Sequence, residues 1–238
     1  CSAGGRLAHQ IVRGLFVTGT DTEVGKSVVA AAVTAALAAR GMPVGAFKPV
    51  VTGVDDEPEP GKAPDHELLG AAAGMAAEAV APYRFGPPVS PHLAGELAAT
   101  AIDPEVLVAT ARQTAEARGT LIAEGVGGLL VPLTSGGYLV RDLMVALGLP
   151  VVIVARPGLG TINHTLLTVE AARSAGLDVR GVVVSPWPQD PTTMEASNRR
   201  TIQVLSGVEV STLPRLPGFS VAELAFAGAA LPLDRWLA

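Results

Sequence analysis

Cysteine is almost missing from this chain; the one residue, Cys1, stands at the first position. A disulfide framework is therefore excluded, and a thiolate zinc cluster has nothing to form from. That usage fits a reducing compartment, the cytoplasm. Basic charge is also short: 17 Lys and Arg stand against 22 Asp and Glu, a net charge of −5. The totals give no excess that would draw DNA, RNA or anionic lipid. Long hydrophobic runs are lacking too. Residues 28–39 form an apolar stretch interrupted by Thr34, and residues 143–155 are broken by Gly148 and Pro150. A membrane span needs about 20 apolar residues. Neither nucleic acid nor a membrane is expected as a partner. The opening Cys1-Ser2-Ala3-Gly4-Gly5 reads as a cloning remnant in preference to a lipoprotein start, within a tail covering residues 1–14.

What the chain has is apolar content, 49% of it, enough for a large core and too much for disorder. From Leu15 onward, short β-branched runs alternate with longer Ala-rich segments of helical spacing. Strands are expected at residues 15–18, 44–48, 121–123, 151–155 and 182–184. Helices are expected at 27–40, 104–118, 161–175 and 192–205, with Asp103 as an N-cap and Pro104 at the first helical position. Continuous apolar strands separated by helices imply a mostly parallel sheet with helices on both faces. Residues 54–64 are acidic and carry Pro58, Pro60 and Pro64, which reads as an inserted loop. No linker is visible, so residues 15–238 are expected to form one α/β domain.

The most specific pattern is Leu15-Phe16-Val17-Thr18-Gly19-Thr20-Asp21-Thr22-Glu23-Val24-Gly25-Lys26-Ser27. A buried strand runs into a loop, and Gly-Lys-Ser opens a helix. Backbone N–H groups and the helix dipole then point at a phosphate. Lys26 is expected to reach the β- and γ-phosphates, and the Ser27 hydroxyl to ligate Mg²⁺. Five residues, where the common pattern has four, separate Gly19 from Gly25. Read blandly, the segment is a glycine turn before a helix, but the strand–loop–helix context favours nucleotide binding.

Other elements take meaning from that loop. Glu124 ends an apolar run before Gly125-Val126-Gly127-Gly128, where nucleoside-triphosphate enzymes keep an acidic Mg²⁺ partner. Lysines are few, and Lys48 joins Lys26 at a strand end, where an open parallel sheet presents its ligands. Phe47-Lys48-Pro49-Val50-Val51-Thr52-Gly53 thus brings a cation and a hydroxyl beside the phosphates. Two helix starts, Ser90-Pro91-His92 and Gly158-Leu159-Gly160-Thr161-Ile162-Asn163-His164, could receive an anion, although simple capping also accounts for both. The histidines show no metal-ligand spacing, so His92 and His164 read as structural.

Together these residues resemble the dethiobiotin synthetase family of the P-loop NTPase superfamily. The shared segments are 17–27, 48–50 with 52–53, 90–92, 124–128 and 160–164, in the family's order and over most of the chain. The resemblance implies a single-domain P-loop NTPase fold and an ATP-, Mg²⁺- and CO₂-dependent closure of 7,8-diaminononanoate to the cyclic urea dethiobiotin, in biotin biosynthesis. It implies a carbamate and then a mixed carbamic–phosphoric anhydride. Lys26 and Lys48 would be catalytic, and Glu23, Val24, Gly25, Lys26, Ser27 and Val28 would cradle the triphosphate. Glu124, Gly125, Val126 and Gly127 would complete that side. Ser27, Asp65 and Glu124 would hold the metal. Lys48 and Thr52 would contact the substrate, as would Gly160, Thr161, Ile162 and Asn163, contributed by the other subunit of a homodimer.

One departure bears on the nucleotide base. Many members place Asn after the strand matching residues 182–184, whereas this chain has Ser185-Pro186-Trp187. A hydroxyl lacks an amide's paired donor and acceptor. The base pocket formed by Ser185, Pro186, Pro217, Gly218 and Phe219 is therefore expected to discriminate weakly, accepting nucleoside triphosphates other than ATP. Two rival functions remain from the residues alone. An amide-forming ligase of the cobyrinate type would have to use free ammonia, since the chain has no internal cysteine for a glutaminase. A nucleotide-switch ATPase of the partition or septum-placement kind would usually carry a further lysine early in the phosphate loop.

Overall fold

The computed structural model describes residues 13–56 and 63–238. The expected tail, apart from its last two residues, and the middle of the acidic proline loop lie outside them. The chain begins with β1 (Gly14–Gly19), α1 (Lys26–Ala39), β2 (Val44–Phe47), β3 (Val50–Thr52), α2 (Asp65–Ala73), α3 (Ala77–Val80) and β4 (Tyr83–Phe85). It continues with α4 (Pro91–Leu97), α5 (Pro104–Arg118), β5 (Thr120–Gly128), α6 (Val140–Leu147), β6 (Val151–Ala155) and α7 (Thr161–Ser174). It ends with β7 (Val179–Trp187), α8 (Thr193–Ser206), β8 (Val210–Pro214), α9 (Val221–Gly228) and α10 (Leu233–Trp236).

The main sheet has the order β2-β5-β1-β6-β7-β8, and every neighbouring pair in it is parallel. Strand side chains alternate between faces. Phe16, Leu121, Ala123, Val151 and Ile153 enter one buried cluster. Leu15, Val17, Ile122, Val152 and Val154 enter the other, together with α1, α2 and α9. Both faces are covered, which is why these strands read as unbroken apolar runs. The connection leaving β1 runs through α1 to β2 on one side and that leaving β6 runs through α7 to β7 on the other, so the two diverge and open a crevice over the phosphate loop.

Several boundaries shift from the sequence reading for physical reasons. β5 runs on through Gly125, Gly127 and Gly128 because β1 pairs with it as far as Gly19↔Gly128, past a register shift after Val17. Glu124 therefore sits within a strand and not at its end. Asp103 caps α5 as expected, accepting the Glu105 N–H at 2.8 Å. Ser90 stands at the N-cap of α4, but its side chain makes no capping bond. The small parallel pair β3–β4 was not foreseen, since each strand has only three residues.

α1 is lined almost entirely with Ala and Val and is buried from Val29 to Leu37. Alanine favours helix, and its small side chain lets α1 be covered on one side by the sheet and on another by α9. At the closest approach a β-carbon on Gly228 would overlap the Ala32 carbonyl oxygen. Gly228→Ala is expected to destabilise the fold by about 1–3 kcal/mol, the usual cost of overpacking. Equilibrium urea unfolding measures it, and an unchanged midpoint would mean that α9 does not seat this closely.

Candidate active site

Alternation along the strands decides which side chains meet. Glu124 has the parity of Ile122, and Lys48 that of Val44 and Ala46, so both face the side covered by α1. The register Phe47↔Ala123 then sets Lys48 beside Glu124. From above, α1 contributes Lys26 and Ser27 in its first turn, behind Gly25 in a left-handed conformation (φ 91°). α2 packs on α1 and begins at Asp65, which brings a second carboxylate to the same point.

The contacts are short and largely dry. Lys48 Nζ donates to Asp65 Oδ2 at 2.6 Å and to Glu124 Oε1 at 2.7 Å. Ser27 Oγ donates to the same Glu124 Oε1 at 2.8 Å. Glu124 is completely buried, and its Oε2 has no hydrogen-bond partner among the described residues. Lys26 Nζ donates to the Asp21 carbonyl at 2.7 Å. The Lys26 stem reaches it by crossing Gly19, where a β-carbon would stand 2.9 Å from Lys26 Cδ.

Burial and charge act differently on the three central groups. Burial brings the Lys26 ammonium from 10.5 down to about 8, with Glu124 opposing the shift and Lys48 adding to it. Burial also pulls on Lys48, but the carboxylates of Asp65 and Glu124 outweigh it and hold that ammonium above its ordinary value. At Glu124 burial outweighs the opposing pull of Lys48, so its carboxyl titrates above the usual range.

Glu23, Gly25, Lys26, Ser27, Val28, Lys48, Thr52, Asp65, Glu124, Val126 and Gly127 line one cavity of about 190 Å³. Val24 is buried in the core beneath it. Gly125 turns to the opposite sheet face, where its β-carbon position lies 3.2 Å from Phe16 and Val140. Ser185 is buried against the loop, its Oγ 3.0 Å from the β-carbon position of Gly25, with Pro186 following it in β7. Pro217, Gly218 and Phe219 lie between β8 and α9, near the end of β7, where the Arg215 N–H donates to the Trp187 carbonyl. Gly160, Thr161, Ile162 and Asn163 form the start of α7, and none of these four lines the cavity.

Sequence reasoning gave Asp21 no role, although it is the acceptor for Lys26. A backbone carbonyl leaves no signature in residue type. The Asp21 carboxylate also accepts Arg156 at 2.9 Å and the Thr22 N–H at 2.8 Å, which ties the loop to the end of β6.

An AAA-domain family profile matches residues 13–221. The chain is 38% identical over 202 residues to the ATP-dependent dethiobiotin synthetase BioD of Bacillus subtilis, covering 84% of this chain and 85% of that protein. It is 41% identical over 209 residues to the enzyme of the same name from Anaeromyxobacter dehalogenans, covering 87% and 92%. Among solved structures, the cell division ATPase MinD of Pyrococcus furiosus superposes with a TM-score of 0.58 at 16% identity, covering 94% of this chain and 98% of that one. A ParA family ATPase from Chlorobium tepidum gives 0.53 at 12%, covering 92% and 97%. Likeness at such identities concerns the fold alone, which a nucleotide switch and a ligase can share. The identity and coverage of the synthetases separate those possibilities: the chain belongs to the ATP-dependent dethiobiotin synthetase family.

Proposed function

We propose that this chain is an ATP-dependent dethiobiotin synthetase that closes 7,8-diaminononanoate with CO₂ to dethiobiotin, releasing ADP and phosphate. The observation that carries the reading is the convergence of Lys26, Lys48, Ser27, Asp65 and Glu124 around one small cavity at the phosphate loop. Lys26 suits any P-loop nucleotide-binding protein, whereas the second buried cation, Lys48 at the end of β2, supplies what a reaction between an anionic substrate and a phosphoryl group needs.

In this reading the backbone from Glu23 to Val28 and the start of α1 receive the triphosphate. Lys26 leaves the Asp21 carbonyl for the phosphoryl oxygens, where its charge offsets that developing during transfer. One amine of the substrate is first carbamated by CO₂. Lys48 holds the anionic carbamate in line with the γ-phosphorus, and Thr52 contacts the substrate beside it. The carbamate oxygen attacks phosphorus and ADP departs. The second amine then attacks the carbamoyl carbon of the mixed anhydride, and phosphate leaves as the urea ring closes.

The residues also fit Mg²⁺. Ser27, Asp65 and Glu124 offer hard oxygen donors, and the fully buried Glu124 Oε2 is an acceptor with no hydrogen-bond partner among the described residues. Among the described residues no group of three or more His, Cys, Asp or Glu could hold a metal by itself. That suits an ion completed by phosphate and water. When bound, Mg²⁺ would neutralise charge on the phosphate oxygens.

A cytoplasmic homodimer accounts for the start of α7. Gly160 to Asn163 do not line their own cavity, and Leu130, Leu159 and Leu167 are 54%, 89% and 57% exposed. A second copy of the chain would cover such residues and receive the α7 start at its own substrate carboxylate. Among the described residues no helix is long and apolar enough to cross a membrane.

The direct test is phosphate release with Mg²⁺, bicarbonate and ATP, with and without 7,8-diaminononanoate, with dethiobiotin identified by mass spectrometry. Diamine-dependent release with formation of the urea is expected. Diamine-independent hydrolysis would move the function toward a switch. Run in parallel with GTP and CTP, the assay also reads base discrimination. Comparable turnover is expected from the Ser185 hydroxyl, and turnover with ATP alone would mean the base is read elsewhere.

A second prediction concerns pH. With Lys26 lowered to about 8, its ammonium is present below that pH and lost above it. Phosphate favours the charged form, so triphosphate affinity is expected to fall as pH rises. Between pH 7.5 and 9 the loss should be roughly tenfold, tracking the charged fraction of the free protein. Isothermal titration calorimetry measures it, and a flat profile would mean that Lys26 stays charged across this range.

A further inference from the structure

The metal-ligand candidates are already engaged with a cation of the protein's own. Lys48 Nζ lies 2.6 Å from Asp65 Oδ2 and 2.7 Å from Glu124 Oε1, and Ser27 Oγ closes on that same Glu124 oxygen at 2.8 Å. The lysine is 4% exposed and Glu124 is not exposed at all, so water supplies little compensation for either charge. Lysine presents a compact point charge on a flexible stem, well suited to filling a space between two carboxylates and to leaving it again. Glu124 Oε2, however, has no hydrogen-bond partner among the described residues.

From this we infer that Lys48 holds the place of the divalent cation in the nucleotide-free protein and must withdraw from Asp65 and Glu124 when the metal enters. The inference rests on Ser27, Asp65 and Glu124 being the metal's oxygen ligands. It adds a consequence for the reaction: the Lys48 ammonium becomes available to an anionic substrate atom in the same cavity once the metal has taken over its two carboxylates. By linkage, cation and anion then favour each other's binding. Lys48 between them keeps the buried Glu124 and the half-buried Asp65 carboxylates from repelling one another, so the site stays assembled.

The test is a Mn²⁺ titration without nucleotide, read by electron paramagnetic resonance, on the wild-type protein, Lys48→Met and Lys48→Arg. Lys48→Met removes the competitor and is expected to bind Mn²⁺ at least tenfold more tightly than wild type, while Lys48→Arg stays as weak as wild type. Equal or weaker binding by a folded Lys48→Met protein would overturn the inference. A measurement on the unaltered chain covers the case in which that variant does not fold. The sequence has three lysines, Lys26, Lys48 and Lys62, so the side-chain ammonium resonances can be assigned by NMR. With a non-hydrolysable ATP analogue bound, the Lys48 resonance is expected to move on adding Mg²⁺, and one that stays in place would overturn the inference. Neither readout involves product formation, so failure of the inference is distinct from failure of the synthetase assignment.

Discussion

The Glu124 carboxylate is the group on which the site's organisation turns. It is fully buried on the α1 face of the sheet, and one of its oxygens accepts both the Ser27 hydroxyl and the Lys48 ammonium. Removing a carboxylate from water costs several kcal/mol unless charge and hydrogen bonds replace the solvent. Here the replacement comes from three elements, β2, α1 and, through Asp65, α2. Those elements must be in place together for the charge to be tolerated. The requirement that makes the site costly therefore also assembles it, because an unpaired Glu124 would be worse than a paired one by more than either bond gains.

Around that point the fold provides proximity without bulk. The Ala-rich α1 is thin enough to lie between the sheet and α9, and its N-terminus ends over β1. Gly19 admits the Lys26 stem across the strand end, and Gly228 admits α9 against α1. Small residues thus set the spacing, and a few charged ones occupy the space they leave. A sparse charge content is consistent with this division, because most of the chain serves a two-faced apolar core.

The phosphate loop was legible because its chemistry is local: strand, glycine turn and Gly-Lys-Ser are contiguous, and their spacing determines their geometry. Lys48 and Glu124 were legible as strand-end residues beside that loop. Their contact depends on β2 and β5 being neighbours in register, which no local pattern states. Glu124 was placed at a strand end since glycines ordinarily weaken strands, yet pairing with β1 carries β5 through them. Asp65 came through the family resemblance, for it reaches the site by the packing of α2 across a proline-rich insertion. The roles of Asp21 and of the β3–β4 pair were not legible, one being a backbone carbonyl and the other three residues per strand.

If Glu124 gathers both the lysine and the cation, its charge and not its shape carries the effect. Glu124→Gln keeps the shape and removes the charge. The decisive measurement is ATP affinity by calorimetry, with and without Mg²⁺, for wild type and this variant. Mg²⁺ should tighten ATP binding to the wild type by at least tenfold and leave the variant unchanged, while metal-free affinity stays similar in both. A Glu124→Gln protein that retains the full Mg²⁺ effect would contradict the account.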